Sequence, residues 1–194
     1  MELNTLLQLP RVDGFDWIGR RHGHHNDCLR VYRDGGTVLK TVLRGIDDDH
    51  VHEKLLQHVF HLSLAIPPHP YVLRPLEWVW HHDYCGVRFP YYPQLLDDVL
   101  GQRDRKIVWK QARDAVAHLY QHYFVHGDLV QKNFFWDREH IVLFDFQTLR
   151  YAPTLHRHPF EFSPDYCGQT THASCCGPFP SKNLLHLQQE LGAG

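Results

Sequence analysis

The 194-residue chain lacks a long apolar run and lacks an excess of charge of either sign. Its apolar runs are short and interrupted by charged residues, so none has the length of a membrane-spanning helix. The opening stretch MELNTLLQLPRVDGFD has neither the basic start nor the apolar core of a signal peptide. Because 20 Lys and Arg stand against 22 Asp and Glu, no strong net field would attract nucleic acid or an anionic membrane. We therefore expect a soluble, cytoplasmic protein with no membrane span and no nucleic-acid partner.

Cysteine is scarce, and its five positions form an odd set without regular spacing. This pattern argues against the disulfide framework of a small secreted protein and predicts reduced thiols. The segment CGQTTHASCC places three cysteines near a histidine, which leaves a zinc site as an alternative, although adjacent cysteines fit tetrahedral geometry poorly. The residues concerned are Cys28 and Cys85, and the zinc candidates Cys167, His172, Cys175 and Cys176.

Histidine, in contrast, is abundant, with 18 residues. Two local sets, RHGHHND at 21–27 and WHHD at 80–83, raise the question of metal capture. Neither set has helix-face spacing with a nearby carboxylate, so we expect both to be polar side chains at the surface rather than a dedicated metal site.

The first half of the chain has the signals of a small, β-rich unit with one helix. CLRVYRDGGTVLKTVL, at 28–43, predicts a hairpin around an Asp-Gly-Gly turn and places Lys40 in its second strand. The stretch 47–64 opens with Asp residues suited to capping and continues with apolar residues at helical spacing. After the break PPHP, the runs 71–80 and 84–92 predict two further strands with HHD as their turn.

The second half begins with a long helix. The stretch 104–124 carries apolar residues on one helical face, as a buried amphipathic helix requires. Two short apolar runs follow, NFFW and IVLFDF, then an irregular tail rich in Pro, Cys and Gly, and finally a predicted helix at SKNLLHLQQELG, 181–192. No internal repeat is apparent. The apolar face comprises Val108, Ala112, Ala115, Val116, Leu119 and Tyr123.

The stretches HGDLVQKN and LFDFQ place Asp128, Asn133 and Asp145 beside apolar segments. A carboxylate at the end of a buried strand is costly to desolvate unless a cation meets it. Mg²⁺ prefers hard oxygen ligands of this kind. The alternative is that Asp128 and Asn133 only stabilise a turn, where both residue types are favoured.

The order of these elements resembles the protein-kinase-like superfamily, including its aminoglycoside, choline and lipopolysaccharide-sugar kinase branches. It runs hairpin with Lys, helix with Glu, two strands, long helix, His-Gly-Asp loop and strand followed by Asp, over roughly residues 15–166. The resemblance implies an α+β, bilobal fold. A small antiparallel β N-lobe would occupy residues 1–93, with a hinge near 88–94, and a reduced, mostly helical C-lobe would occupy 94–194.

The same resemblance implies a role for each matching residue. Asp128 would orient the acceptor hydroxyl and take its proton, while Asn133 and Asp145 would hold Mg²⁺ with the ATP phosphates. Lys40 would contact those phosphates, and Glu53 would hold the lysine. A solvated lysine on an edge strand is the alternative for Lys40.

The phosphate-covering loop departs from the pattern. Kinases use Gly-x-Gly-x-x-Gly, whereas WIGRRHGHHNDCLRV offers only Gly19 and Gly23. Arg20, Arg21 and the nearby histidines would have to replace amide contacts with side-chain cations. A plain surface turn is an equally good interpretation of this stretch.

The sequence departs from the protein-kinase pattern at three further places. Gly127 stands where protein kinases have Arg, as in small-molecule kinases, so a small-molecule or sugar hydroxyl is favoured over a protein acceptor. Gln147 replaces the glycine of Asp-Phe-Gly. FSPDYCG is only faintly similar to Ala-Pro-Glu. Because 49 residues follow Asp145, we expect a minimal kinase, a partner that completes the acceptor site, or a chain without transfer activity.

The leading hypothesis is an ATP- and Mg²⁺-dependent phosphotransferase acting on a hydroxyl acceptor. The alternative is an inactive kinase-like module that binds nucleotide or a partner, and a His/Cys metal protein is a third class. The adenine contact is expected from backbone near 89–94, where Pro90 and Pro93 remove two donors. Tyr91, Tyr92 and Trp136 could line the cleft, although packing in the core is the more common use of such residues.

Overall fold

The computed structural model describes residues 1–10, 29–44, 51–153 and 186–192. It is α+β, with antiparallel sheets and several helices, which confirms the expected class. The chain divides into two compact units, Met1–Ala65 with Arg74–Tyr91 and Ile66–Leu73 with Tyr92–Gly194. Within the described ranges, every helix is too short or too polar to cross a bilayer.

The first unit is built on a four-stranded antiparallel sheet. Its order is β1-β2-β4-β3, with β1 Leu29–Asp34, β2 Thr37–Leu43, β3 Glu77–Trp80 and β4 Tyr84–Pro90. The predicted hairpin is confirmed, since β1 pairs with β2 and Gly35 turns the chain at a φ of 59°. Lys40 therefore lies on a central strand, so the alternative of a lysine on an edge strand is wrong.

Two helices accompany this sheet. Helix α2, Val51–Ala65, confirms the helical spacing of its sequence; the expected start at 47–50 lies outside the described residues. Helix α1, Leu3–Leu7, has no clear signal in the sequence. Its Leu6 is fully buried with three sheet residues. This apolar cluster consists of Leu6, Tyr32, Leu39 and Tyr84.

The expected single strand at 71–80 is wrong, because the chain there contributes to two different sheets. Tyr71 and Leu73 exchange backbone hydrogen bonds with Leu143 at 2.9 and 2.8 Å. Strand β3 begins only at Glu77, where pairing with β4 starts. Pro75, which has no N–H to donate, stands between the two pairings. A continuous apolar run in the sequence therefore concealed the change of partner.

The second unit combines the longest helix with two small sheets. Strands β5, β7 and β8 form a three-stranded sheet, and β6 pairs with β9. Asp104 caps the start of α4 by accepting the N–H of Lys106 at 2.9 Å. The bounds are β5 Gln94–Leu95, α3 Leu96–Val99, α4 Arg105–Gln121, β6 Phe124–Val125, β7 Phe134–Asp137, β8 His140–Leu143 and β9 Arg150–Tyr151.

Helix α4 buries nearly the face that its periodicity predicts. Val108, Ala112, Ala115, Val116 and Leu119 are all buried, as expected. Tyr123 is an exception, since the helix ends at Gln121 and Tyr123 follows with a φ of 69°. That left-handed residue turns the chain into β6, so the assignment of Tyr123 to the helical face is wrong.

The end of the chain forms a short helical turn at 186–190. It confirms part of the predicted C-terminal helix, whose first residues, 181–185, lie outside the described residues. Leu187 and Leu191 are both 0% exposed. Their burial anchors this turn in the second unit.

Replacement of Gly86 by alanine is expected to destabilise the first unit. A Cβ at Gly86 would lie 2.8 Å from the backbone oxygen of Lys40, which cannot move without disturbing the β2–β4 pairing. We expect a loss of about 1–3 kcal/mol in the free energy of unfolding, measured by urea denaturation. Gly101→Ala is the matched control, because nothing lies within 4 Å of its Cβ position. Equal stability of the two variants would contradict this interpretation.

Candidate active site

The backbone of the His-Gly-Asp loop requires glycine at its centre. Gly127 has a φ of 83°, a conformation that side chains other than glycine rarely tolerate. A Cβ there would also lie 2.8 Å from the backbone oxygen of Thr148. The Thr148 hydroxyl donates to the carbonyl of His126 at 2.5 Å, which holds the two segments together. Gly127 is therefore a structural requirement of this loop, whatever its role in substrate choice.

The His126 ring connects this loop to the segment that follows β8. It is 2% exposed, and its Nε2–H donates to the carbonyl of Phe144 at 2.8 Å. Its Nδ1 accepts the backbone N–H of Asp128, a long hydrogen bond of 3.4 Å. The two contacts together require one neutral tautomer, with the proton on Nε2. They place the loop that carries Asp128 next to the segment that carries Asp145.

Burial lowers the pKa of His126 below its ordinary value of 6.5. The hydrogen bond to Phe144 and the nearby carboxylates of Asp145 and Asp128 act in the opposite direction, but burial is the larger cause. The ring therefore stays neutral in the folded protein at neutral pH and serves as a fixed connector.

Asn133 also contacts both the loop that carries Asp128 and the segment that follows β8. It is 0% exposed, and its amide nitrogen donates to the backbone oxygen of Asp128 at 2.8 Å and to Asp128 Oδ2 at 3.1 Å. Its own backbone oxygen accepts the N–H of Phe144 at 2.9 Å. The nitrogen of Asn133 thus stabilises the turn, as the alternative interpretation of Asp128 and Asn133 predicted. The Oδ1 of Asn133, in contrast, is buried without a hydrogen-bond partner.

Asp145 provides a second oxygen of this kind. It follows β8 in the left-handed conformation, with φ 62° and ψ 66°, which Asp tolerates better than most residues. Its Oδ1 is buried without a hydrogen-bond partner. Such oxygens are costly to bury unless a cation or donor meets them. Asn133 and Asp145 therefore fit a hard divalent cation such as Mg²⁺.

The two predicted phosphate-side residues lie in the first unit. Lys40 is half-buried in β2, and Glu53 is half-buried in the first turn of α2. Glu53 Oε2 lies 3.4 Å from Nε of Arg44, whose guanidinium also stacks 4.2 Å from the centre of the Trp80 ring. Sequence reasoning missed Arg44, although a cation directly after a strand was a signal. The predicted Lys40–Glu53 pair stays a prediction.

Several predicted residues lie outside the described ranges. These are the loop glycines and arginines, the zinc candidates, the first cysteine, the histidine set at 21–27 and the segment FSPDYCG. Cys85 lies within the described part of the chain as a buried free thiol, and burial raises its pKa to about 12. The predicted residues that lie outside the described ranges are Gly19, Arg20, Arg21, Gly23, Cys28, Cys167, His172, Cys175 and Cys176.

The stretch expected to contact adenine has few backbone donors left. Pro90 and Pro93 have none, and the N–H of Tyr91 donates to the carbonyl of Gly36 at 3.0 Å. Phe89 pairs with Val38 within the sheet. The Tyr91 ring stacks against Arg33, 4.2 Å from its guanidinium carbon.

The aromatic residues of the second unit are mainly packed against one another. Tyr92 stacks on Phe135 at 5.4 Å, and Phe135 stacks on Phe144 at 3.9 Å between ring centres. Trp136 is 5% exposed and lies 4.7 Å from the guanidinium carbon of Arg103. This burial favours the core-packing interpretation of Trp136.

The set WHHD, interpreted from the sequence as polar residues without a dedicated metal site, brings two histidines close to a carboxylate. His81, His82 and Asp83 each bring a ligand atom to within 4.8 Å of the others. His81 Nδ1, however, accepts the backbone N–H of Asp83 at 3.3 Å, just as His69 accepts that of Tyr71 at 3.3 Å. In both turns the histidine stabilises the backbone two residues ahead, which explains the cluster without a metal.

Comparison with known proteins shows similarity at the level of the fold. No family model matches the chain, and no curated protein matches it. A crystal structure of WbdD matches with a TM-score of 0.53 and 20% sequence identity, over 86% of this chain and 44% of that chain. The chain thus spans less than half the length of WbdD, and the two share a fold.

The free energy of unfolding is expected to fall as the pH drops below about 6.5, where the unfolded histidine takes up a proton that buried His126 does not. Above that value the contribution is constant. His69, whose pKa burial also lowers, acts in the same direction. Urea denaturation across this pH range measures the slope, to which each group contributes at most about 1.4 kcal/mol per pH unit.

His126→Gln should flatten this slope, because it removes the titrating ring. The control His58→Gln, at an exposed position on α2, should leave it unchanged. A slope as steep in His126→Gln as in the unaltered protein would contradict the assignment, because only the smaller contribution of groups such as His69 should remain.

Proposed function

We propose that this protein is an ATP- and Mg²⁺-dependent phosphotransferase with a bilobal, protein-kinase-like fold. The observation that carries the proposal is that Asn133 Oδ1 and Asp145 Oδ1 are each buried without a hydrogen-bond partner, while the nitrogen of Asn133 donates to the carboxylate of Asp128. The fold shared with WbdD is compatible with it. In this proposal residues 1–93 form the N-lobe, apart from Ile66–Leu73, which belong to the second compact unit. Residues 88–94 form the hinge, and 94–194 form the C-lobe.

The two partnerless oxygens would hold Mg²⁺, which when bound neutralises charge on the nucleotide phosphates. Asn133 serves two purposes in this arrangement. Its nitrogen donates to one oxygen of Asp128, and its own Oδ1 would be a ligand of the metal. We assign the other oxygen of Asp128 to the acceptor hydroxyl.

Asp128 takes the proton of that hydroxyl while the hydroxyl oxygen of the acceptor bonds to the γ-phosphorus. The bond between the γ-phosphorus and the bridging oxygen breaks, and ADP leaves with the electron pair. Lys40 and the loop with Gly19 and Gly23 are assigned to the phosphates, and Glu53 to Lys40. Glu53 also pairs with Arg44, at 3.4 Å from its Nε.

The acceptor in this proposal is a hydroxyl of a small molecule or sugar. Protein kinases place an arginine between the His and Asp of this loop, where it meets a phosphorylated segment. Here the position is Gly127, and a Cβ would meet the Thr148 backbone. Control by phosphorylation through this position is therefore not expected. A cytoplasmic location, with its supply of ATP, and a partner that completes the acceptor site belong to the same proposal.

A second candidate is an inactive kinase-like module that binds nucleotide or a protein partner. The hinge region favours it, because Pro90, the bonded N–H of Tyr91 and Pro93 leave few backbone donors for adenine. Gln147, which stands in place of the glycine of Asp-Phe-Gly, also favours an inactive module. Transfer and binding assays separate the two candidates.

Asp128→Asn is expected to lower phosphoryl transfer by about 10²–10⁴-fold, because the amide cannot accept the proton. Single-turnover transfer from labelled ATP to a panel of sugars and amino alcohols measures the effect. Asp98→Asn, an exposed carboxylate on α3, is the matched control and should transfer normally. Equal transfer by the Asp128 and Asp98 variants would refute the assigned base.

Asp145→Asn is expected to abolish the stabilisation by Mg²⁺ and ATP without harming the ligand-free protein. The change removes a buried carboxylate oxygen that has no partner, and Asn tolerates the left-handed backbone. At a ligand concentration of about 100 Kd, the unaltered protein should gain about 2.7 kcal/mol. Thermal unfolding without ligand measures the stability of the ligand-free variant, and thermal unfolding with Mg²⁺ and ATP measures the stabilisation by the ligands.

The same titration separates the alternatives. Stabilisation of the unaltered protein without any transfer would favour a nucleotide-binding module. No stabilisation at all would favour a partner-binding scaffold and would contradict the proposed metal site.

A further inference from the structure

The C-terminal turn, residues 186–192, contacts the loop of the candidate active site. The carboxylate of Glu190 accepts the backbone N–H of Gln131 at 2.8 Å, across 59 positions of sequence. Gln131 lies between Asp128 and Asn133. It begins the 3₁₀ helix Gln131–Asn133, which ends at the residue whose Oδ1 is buried without a partner.

The N–H of Gln131 needs a partner from elsewhere in the chain. The first N–H groups of any helical turn have no acceptor within the turn itself. Val130 precedes the 3₁₀ helix and provides no side-chain cap. The Glu190 carboxylate takes the place of that cap, and an ionised acceptor makes the stronger kind of hydrogen bond.

The C-terminal turn is fixed in a position from which it can hold the loop. Leu187 and Leu191 are fully buried, so the turn is anchored by two apolar side chains. Arg105, the first residue of α4, donates from Nη1 to the carbonyl of Leu191 at 3.2 Å. The second oxygen of Glu190 lies 3.5 Å from Nδ1 of His186. These contacts direct the carboxylate toward Gln131.

We propose that Glu190 is a positioning residue, which orders the loop between Asp128 and Asn133 through the Gln131 N–H. The catalytic consequence rests on the proposed phosphotransferase function, whereas the ordering of the loop does not. With Glu190 in place, Asn133 keeps its nitrogen on Asp128 and its free oxygen in position. Without it, the 3₁₀ turn loses its cap and Asn133 samples other positions.

The first test is amide hydrogen exchange of the loop peptide 126–134 in the full chain without nucleotide. Glu190→Ala should raise its exchange rate about tenfold, and Glu190→Gln, which keeps a neutral acceptor, should give an intermediate rate. Gln189→Ala, an exposed neighbour in the same turn, is the control and should leave the rate unchanged. The same rate in Glu190→Ala and Gln189→Ala would overturn the proposal.

The second test removes the donor instead of the acceptor. Gln131→Pro deletes the N–H, and the backbone of Val130, at φ −133° and ψ 154°, already has the conformation that a following proline requires. If the two residues act through one hydrogen bond, the effects of Gln131→Pro and Glu190→Ala on loop exchange will not add. Additive effects would overturn the proposed link.

The catalytic part is tested by transfer kinetics. Glu190→Ala should lower kcat about fivefold with little change in KM for ATP, because a loop that orders the reacting groups affects the transition state more than binding. Altered loop exchange with unchanged kcat would overturn the positioning role while leaving the proposed function intact. Absence of transfer in the unaltered protein would overturn the proposed function and, with it, the catalytic consequence. The exchange experiment would still decide whether Glu190 orders the loop.

Discussion

The hydrogen bond from the buried His126 ring to the carbonyl of Phe144 is the contact on which the candidate site depends. It joins the loop of Asp128 to the segment of Asp145, and it does so with a neutral ring, because burial lowers the pKa of His126. Asn133 supports the same junction through the N–H of Phe144. The two contacts with Phe144 are therefore made by groups that carry no charge of their own.

The elements with a strong periodic signal were predictable from the sequence. The Asp-Gly-Gly hairpin, helix α2 and helix α4 each follow from local residue patterns. The run 71–80 was not, because its two ends pair with different sheets and only tertiary contacts distinguish them. Helix α1 was missed because five residues carry too little pattern. Tyr123 was misassigned because nothing in its side chain indicates the left-handed backbone that ends α4.

The candidate site shows the same division. Asp128, Asn133 and Asp145 could be named from their spacing, and their roles stay a prediction. The contacts that hold them in place could not be named in this way. The Gly127–Thr148 approach, the Arg44–Glu53 pair and the Glu190–Gln131 hydrogen bond join residues without a shared motif. Motifs name candidate residues, whereas the contacts that hold those residues depend on the particular packing of one chain.

In the proposed site, the buried oxygens of Asn133 and Asp145 are ligands for a cation that accompanies a nucleotide. A crystal structure of the full chain with Mn²⁺ in place of Mg²⁺ and a non-hydrolysable ATP analogue tests it most directly, because the anomalous signal of the metal locates it without ambiguity. We predict a metal peak about 2.1–2.2 Å from Asn133 Oδ1 and from the Asp145 carboxylate, with phosphate oxygens completing its coordination. A bound nucleotide with its metal away from both residues would contradict the account.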